Sequence, residues 1–311
     1  MTKKKPTWTL ELLSAVILIG ALFLILFAAP GFGSTPGPNY RNVTVVTTVN
    51  ITNSYPEILS VVLPSSVTLT AGQTVSVTAN VTVRDYDGYN DINLVNATFY
   101  DASVANATAP SDRNYHYKNT SCVQTGGTGF TANYSCTFSV YYYANNGSVW
   151  TANATAKDQG DFTDFESGTA TIEPLLAINV TDEIDFGNMA VGDVSTTGIE
   201  ANVTNFGNVL INVSVYGYGS TTGDGLAMVC TQRNITIGYE KFSVNNSTPY
   251  VSMTALATAA QNIPGLQMYQ RTNDTAGGEV YNITYWRLQV PVSLNPAGTC
   301  NGSVVFQAES P

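Results

Sequence analysis

Three aspartates surround a glycine in the stretch "RDYDGYND", where Asp85, Asp87 and Asp91 lie on either side of Gly88. Carboxylate oxygens are the ligands that Ca²⁺ prefers, so a tight turn of this composition predicts a calcium site. The spacing is not that of an EF-hand loop, whose glycine comes two positions later relative to the first aspartate. The alternative is an ordinary turn in which Asp, Asn and Gly satisfy local backbone geometry. We expect no other cofactor.

A second acidic stretch, "KDQGDFTDFE", contains Asp158, Asp161 and Asp164. It has the same turn-like composition and belongs to the same half of the chain. We expect it to lie at the same end of the domain as the first acidic stretch, and we regard it as the weaker metal site.

The sequence offers little that could perform catalysis. His116 is the only histidine, and it stands in the polar segment "RNYHYKNTS" with no Gly-x-Ser-x-Gly motif to accompany it. Carboxylates are concentrated in turns, and neither a phosphate-binding loop nor a dinucleotide fingerprint occurs. We therefore interpret His116 as a solvated loop residue and predict that the protein is not an enzyme.

The aromatic stretch "VYYYANNGSVW" could supply rings that stack on sugars. In a strand, alternation would place Val140 and Tyr142 on one face and Tyr141 and Tyr143 on the other. One of these pairs should belong to the core, which makes a binding platform the less favoured interpretation. Trp150 opens an alternating run and is expected to be a core residue.

Four cysteines occur, at positions 122, 136, 230 and 300. An even number in an exported chain indicates disulfides, and two cysteines fall in each half of the sequence. We expect Cys122–Cys136 to close a hairpin and Cys230–Cys300 to connect a middle strand to the last one. Neither spacing fits a zinc site. Buried free thiols are the alternative.

Asparagine is followed two residues later by Ser or Thr, with no intervening Pro, far more often than composition explains. The motif accounts for 18 of the 29 asparagines. A solvated strand face could collect Asn and Thr, but it would accept either order, whereas N-glycosylation requires Asn first. We therefore predict dense N-glycosylation. The sites are Asn42, Asn50, Asn80, Asn96, Asn106, Asn119, Asn133, Asn146, Asn153, Asn179, Asn202, Asn212, Asn234, Asn245, Asn246, Asn273, Asn282 and Asn301.

Composition supports an exported protein. Hydrophobic residues make up 44% of the 311 residues, enough for sizeable cores, whereas Asp, Glu, Lys and Arg make up only 11%. The usual share of charged residues is about 25%. From the net charge of −10 we expect no nucleic-acid partner. Glycans would supply the solubility that charges supply elsewhere.

The N-terminus indicates membrane insertion. Lys3, Lys4 and Lys5 precede the uncharged run Leu12–Ala29, which approaches the roughly 20 residues needed to cross a bilayer. The lysines should remain inside the cell and the rest of the chain outside. We favour a retained membrane anchor, because cleavable signals usually have a shorter apolar core of about 7–15 residues. Cleavage near Gly33 is the alternative.

The organisation of the chain indicates an all-β protein with four parts. Residues 1–30 form the Lys-rich start and the anchor or signal, and residues 31–55 form a Pro/Gly linker and a leading strand. Period-two alternation interrupted by turn residues then predicts two tandem antiparallel β-sandwiches, at 56–173 and 174–311.

Two segments of the first half, "VTVRDYDGYNDINLVNATFYD" and "WTANATAKDQGDFTDFESGTATI", resemble Ig-like or PKD-like modules of archaeal cell-surface proteins, over most of Val67–Ile172. The second half is similar to a β-sandwich type common in archaeal exported proteins, through "IDFGNMAVGDVSTTGIEANVTNFGNVLINVSVYG" and "YWRLQVPVSLNPAGTCNGSVVFQAES". That type usually has an aromatic residue where this chain has Cys300, a departure that fits pairing with Cys230. The resemblance implies Ig-like folds and a non-catalytic role in the cell envelope.

Three functions are compatible with these features. The first is an N-glycosylated structural or adhesive protein of the cell surface, anchored in the membrane and in contact with like subunits or other envelope proteins. The second is a subunit of an extracellular filament or pilus, in which signal cleavage frees "YRNVTVVTTVNIT" to insert as a strand into a neighbouring subunit. The third, a solute-binding subunit, would need a ligand cleft.

Overall fold

The computed structural model describes residues 44–272 and 278–311, and this part of the chain is all-β. The predicted fold class is confirmed at that level. The strands of the first half are β1 Glu57–Val62, β2 Ser66–Val67, β3 Thr74–Arg84, β4 Ile92–Asp101, β5 His116–Asn119, β6 Val123–Thr128, β7 Thr131–Tyr141, β8 Gly147–Asp158 and β9 Thr163–Ile172.

The strands of the second half are β10 Ile178–Val180, β11 Ile199–Asn205, β12 Ile211–Tyr218, β13 Leu226–Gln232, β14 Ile235–Thr236, β15 Glu240–Ser243, β16 Thr254–Ala255, β17 Gln261–Met268, β18 Tyr281–Leu288, β19 Ala297–Asn301 and β20 Ser303–Glu309. Short 3₁₀ helices lie at Tyr89–Asp91, Ile237–Tyr239 and Tyr250–Ser252.

The first sandwich consists of two facing sheets, with strand orders β1-β3-β7-β6 and β2-β9-β8-β4-β5. All pairs are antiparallel except β2 with β9, which is parallel. The β3–β7 ladder is the longest, since it runs without interruption from Thr74 opposite Tyr141 to Arg84 opposite Thr131. Alternate residues of these strands are buried, as period-two alternation requires.

Trp150 lies at the centre of the first core, as predicted. Its side chain is fully buried, its ring centroid lies 4.8 Å from that of Phe99, and its indole N–H donates to the Asn145 carbonyl over 2.8 Å. Because the one polar atom of the ring is satisfied, the tryptophan is buried without a desolvation penalty.

The second half has its own core between the sheets β10-β11-β18-β15-β16 and β17-β12-β20. Trp286 is fully buried in it, 5.3 Å from Phe242, and its indole N–H donates to Thr284 Oγ1. A smaller sheet, β14-β13-β19, covers a satellite cluster that includes Cys230 and Leu288. Each half is therefore built around one buried tryptophan.

Residues 53–311 form one compact unit, and the two sandwiches meet within it at a polar junction centred on Asn208. The buried Asn208 amide donates to the carbonyls of Ala144 and Glu173, and its Oδ1 accepts the Leu175 N–H over 2.6 Å. Ala144 belongs to the first sandwich, and Glu173 and Leu175 to the connection. One side chain thus joins three segments of the chain.

Aromatic packing completes the junction. The Phe206 ring lies 5.5 Å from that of Tyr142 and in contact with Gly72, where an added Cβ would come within 3.1 Å of the ring. Gly72 also has a φ of 68°, which few other residues adopt. The guanidinium of Arg271 stacks 4.8 Å from the Tyr143 ring and pairs with Glu279 at 2.7 Å.

The expected leading strand within 31–55 is not found in the described residues 44–55, since the first strand begins at Glu57. Residues 44–52 make no ladder and lie outside the compact unit. The predicted anchor Leu12–Ala29 lies outside the described residues. Within 44–272 and 278–311 no helix has the length and apolarity needed to cross a bilayer.

Candidate cation-binding site

The turn between β3 and β4 carries the three predicted aspartates. The Asp87 N–H donates to Asp85 Oδ1 over 2.9 Å, and the Gly88 N–H donates to the Asp85 carbonyl over 3.1 Å. Gly88 has a φ of 110°, a conformation open to glycine and costly for residues with a Cβ. The 3₁₀ helix Tyr89–Asp91 follows directly and brings Asp91 next to the other two aspartates.

The three carboxylates converge on one point. One oxygen from each of Asp85, Asp87 and Asp91 lies within 4.8 Å of the other two. Asp85 is 0% exposed, and among the described residues its Oδ2 finds no hydrogen-bond partner. The buried Oδ2 of Asp91 also finds none. Burying an unpaired polar atom costs on the order of 1–3 kcal/mol, and more when the group is charged, so a cation bound between these two oxygens would remove that cost.

The pKa values of two aspartates in the turn are shifted by their surroundings. Burial raises the pKa of Asp91, and the negative charges of Asp85, Asp158 and Asp87 raise it further. The pKa of Asp87 is lowered instead, because its carboxylate accepts hydrogen bonds from the Ser54 N–H and hydroxyl. A bound cation would reverse the pKa shift of Asp91, since it favours the charged carboxylate.

Asn53 and Ser54 connect the start of the compact unit to this cluster. The Ser54 N–H donates to Asp87 Oδ2 over 2.6 Å, and its hydroxyl donates to the same oxygen over 2.8 Å. The Asn53 amide donates to Asp158 Oδ2 over 2.9 Å. Sequence reasoning missed both residues, because more than thirty positions separate Ser54 from Asp87 and no local motif marks either one.

The second acidic stretch is only partly drawn into the site. Asp158 is buried and close enough to affect the pKa of Asp91, so the two stretches do meet at one end of the sandwich. Both of its oxygens have partners, since Oδ1 accepts the Phe162 N–H and Oδ2 accepts the Asn53 amide. Asp161 instead pairs with Lys157, and Asp164 accepts the Ile58 N–H.

The geometry of the three carboxylates suits calcium. Ca²⁺ accepts six to eight oxygen ligands at about 2.3–2.6 Å in a flexible geometry, whereas Mg²⁺ demands near-ideal octahedral coordination at about 2.0–2.1 Å. One oxygen from each of Asp85, Asp87 and Asp91 lies within 4.8 Å of the other two, which allows all three to contact one ion of the flexible kind. Asp87 is exposed, which leaves an open side where water could complete the coordination. The residues present therefore fit the predicted ion.

The prediction that His116 is solvated is wrong. The side chain is 1% exposed and stacks on Tyr100 with 5.8 Å between ring centroids. Burial lowers its pKa, so the neutral imidazole is favoured. The polar sequence around His116 hid this outcome, because β5 begins at this residue and places it against β4.

The aromatic stretch does not alternate as predicted, because β7 ends at Tyr141. Tyr142 and Tyr143 lie beyond the strand and are both buried, where they face the sandwich junction through Phe206 and Arg271. Both tyrosines serve the contact between the two halves of the chain, and neither presents an open face to a sugar.

Both predicted disulfides are present. Cys122–Cys136 links the segment entering β6 to β7, next to the Val123–Ser135 pair of the expected hairpin. Cys230–Cys300 joins β13 to β19, where the two residues pair directly across the ladder. One detail differs, since β19 is the next-to-last strand and β20 is the last.

Comparison with known proteins identifies no family. No protein-family model matches the chain, and no curated protein matches it. Among solved structures, the CupB6 tip adhesin from Pseudomonas aeruginosa is 10% identical with a TM-score of 0.27, covering 83% of this chain and 91% of the adhesin. A structure described as BspA_C_WT is 11% identical with a TM-score of 0.21, covering 82% of this chain and 96% of the other. TM-scores this low carry no argument about function.

Proposed function

We propose that this chain is a non-catalytic structural or adhesive protein of the cell exterior, anchored by its N-terminal apolar segment, N-glycosylated, and stiffened by Ca²⁺ at the Asp85–Asp87–Asp91 cluster. The observation that carries the proposal is the buried Asp85 Oδ2, which finds no partner among the described residues beside two further carboxylates.

Calcium here would act mechanically. Ser54 binds two of the three aspartates, and Asn53 binds Asp158 next to them. An ion that neutralises the cluster removes the repulsion between carboxylates and so strengthens the attachment of residues 53–54 to this end of the sandwich. Extracellular calcium modules commonly bind with dissociation constants of about 10⁻⁴–10⁻³ M, a range that suits the outside of a cell.

The placement of asparagines supports glycosylation. Among the described residues, each of the 16 predicted glycosylation asparagines is exposed or half-buried. Three asparagines are buried in the described part of the chain, Asn114, Asn205 and Asn208, and all three lie outside the motif and bond to carbonyl groups. This division is what glycan attachment requires, because a modified side chain must reach solvent. Asn42 and Asn273 lie outside the described residues.

The two disulfides add support for an oxidising compartment, because such bonds persist outside the cell and are rare in the cytosol. The anchor is supported by the length and apolarity of Leu12–Ala29 in the sequence. Intact mass and glycopeptide analysis of the protein from its own host test the proposed glycosylation and the proposed retention of the anchor. We expect a mass above that of the bare polypeptide, modified sites confined to the motif asparagines, and a chain that retains its N-terminal segment.

Calcium binding is tested by thermal unfolding of the detergent-solubilised full chain in EDTA and at increasing CaCl₂. With a Kd near 1 mM, 10 mM Ca²⁺ should stabilise the native state by about 1.4 kcal/mol. For a folded part of this size, that corresponds to a rise in Tm of roughly 3–6 °C. MgCl₂ should stabilise less, because Mg²⁺ demands near-ideal octahedral geometry and gives up its bound water reluctantly.

Asp91→Asn and Asp85→Asn should abolish the calcium response. Asp91→Asn is the safer variant, because Asp85 also accepts hydrogen bonds from the turn. Asp182→Asn is the matched control, since this exposed residue lies in an equally acidic stretch of the second half with Glu183 and Asp185. A flat response to 10 mM Ca²⁺ in the wild type, or an unchanged response in Asp91→Asn, would refute the site.

A further inference from the structure

The second sandwich has an open groove between β10 and β20. The groove encloses about 930 Å³ and is lined on one side by Ile178, Val180 and Phe186 and on the other by Val304 and Phe306. These side chains are only half-buried, although they pack against the core of this half. The volume is large enough to admit a segment of polypeptide with several aliphatic side chains.

Among the strands that the structure describes, none pairs with the outer edge of either wall of the groove. β10 is the outermost strand of its sheet and bonds to β11, and β20 is the outermost strand of the facing sheet and bonds to β12. The sequence of β20, "SVVFQAE", has no charge before its final residue and no proline. The groove is mixed in character, since the carboxylates of Asp182, Glu183 and Asp185 also line it. Exposed edges are usually protected by charges, prolines or bulges, and β20 itself has none of these before Glu309, so its edge is suited to accept a further strand.

The described segment 44–52, "TVVTTVNIT", has the features of such a strand. Val45, Val46, Val49 and Ile51 are 76–83% exposed, and the segment pairs with no strand in the structure. In an extended conformation one face carries Val45, Thr47, Val49 and Ile51, whereas the other carries Val46, Thr48 and the predicted glycosylation site Asn50. The segment is uncharged, and its nine residues would extend about 30 Å, enough to cover the seven residues of β20.

We propose that segment 44–52 of one copy inserts into the groove between β10 and β20 of a second copy and adds a strand to the free edge of β20. Val45, Val49 and Ile51 would enter the groove, and Asn50 with its glycan would face solvent. The inserted backbone would bond to the open edge in the manner of other strand-addition contacts.

The short length of segment 44–52 means that the donor must come from another copy of the chain. Ser54 is bonded to the aspartates that follow the C-terminal end of β3, and the other end of β3 lies at the sandwich junction beside Gly72 and Phe206. The eleven residues of β3 span about 33 Å, and the groove lies in the second sandwich beyond that junction. Nine residues can extend at most about 32 Å. Segment 44–52 is therefore too short to cross its own first sandwich and also lie along the groove of its second.

The contact is head-to-tail, because the donor segment precedes the first sandwich of one copy and the acceptor groove lies in the second sandwich of the other copy. Such heterologous contacts propagate into open chains unless a rotation closes them into a ring. The inference rests on the structural role proposed above and names the partner as a second copy of this chain. It departs from that proposal in one respect, since copies farther along an open chain must be released from the membrane anchor by the cleavage near Gly33. It does not require calcium, so the two proposals can fail separately.

Site-directed cross-linking on the full chain tests the contact. The four native cysteines are all in disulfides, so introduced thiols react selectively. Purified Val49→Cys protein is mixed with purified Val305→Cys protein and treated with a short bismaleimide, so that any mixed dimer is intermolecular by design. We expect a dimer from this mixture. As the matched control, Val251→Cys protein is used in place of Val305→Cys protein. Val251 is 82% exposed and lies away from the groove, in the 3₁₀ helix Tyr250–Ser252.

Two variants of the donor refine the result. Ile51→Asp, on the inserted face, should lower the yield of mixed dimer at least tenfold, whereas Thr48→Asp, on the opposite face, should change it less than twofold. Neither residue packs in the free protein, so both variants should fold. Equal yields with Val305→Cys and Val251→Cys, absence of dimer, or equal effects of the two donor variants would overturn the inference. A calcium response that persists without cross-linking would leave the proposed function standing.

Discussion

The junction between the sandwiches yields the sharpest test of how the two cores are coupled. Asn208 is fully buried and makes three side-chain hydrogen bonds, to the carbonyls of Ala144 and Glu173 and from the Leu175 N–H. Each bond contributes about 1 kcal/mol, and a buried group left without its partner costs about 1–3 kcal/mol. We expect Asn208→Ala to lower the free energy of unfolding by about 3–4 kcal/mol.

The two buried tryptophans provide the assay. Trp150 reports on the first sandwich and Trp286 on the second. On a Trp8→Phe background, single replacement of either by Phe separates their fluorescence. In the wild type we expect both probes to follow one urea transition, because the junction couples the two cores. In Asn208→Ala the junction is weakened, so the transition midpoints of the two probes should separate.

Asn262→Ala provides the control, because this exposed asparagine in β17 also lies outside the glycosylation motif. Exposed substitutions of this kind usually change stability by less than about 0.5 kcal/mol. The reasoning would be refuted if Asn208→Ala and Asn262→Ala unfolded alike, or if both tryptophans still reported a single, undisplaced transition in Asn208→Ala.

Two further predictions follow from the disulfides and from a buried carboxyl group. Replacing Cys230 and Cys300 by Ala should cost about 4 kcal/mol and replacing Cys122 and Cys136 about 3 kcal/mol, because the longer loop of 70 residues loses more chain entropy than the loop of 14. Urea midpoints in the reverse order would contradict this entropic account. Burial raises the pKa of Glu240 to about 8, whereas the unfolded chain titrates near 4.5. The native state therefore retains a proton that the unfolded state releases, and stability present below pH 4.5 is lost as pH rises to 8, by up to about 5 kcal/mol. Glu240→Gln should remove that part of the pH dependence, and an unchanged stability profile from pH 4 to 9 would show that the carboxyl group is not buried as described.

The sandwich core and the acidic turn are two features that local sequence patterns predicted correctly. Alternation predicted the buried faces of β3 and β7, because the period of two is a property of any extended backbone. The order Asp-x-Asp-Gly predicted a tight turn at Asp85, because Gly88 supplies a backbone conformation that other residues resist. These features depend on residues within a few positions of one another.

The sequence alone therefore determined the all-β class, the turn with its three aspartates, the pairing of the cysteines and the distribution of glycosylation motifs. Tertiary structure decided the rest: the attachment of Ser54 to Asp87, the burial of His116 against β4, the three bonds of Asn208 and the open edges beside the groove. Each of these joins residues far apart in the chain, and a side chain with the same local sequence could be solvated or buried. Only the packing of one sheet against another fixes which of the two it becomes.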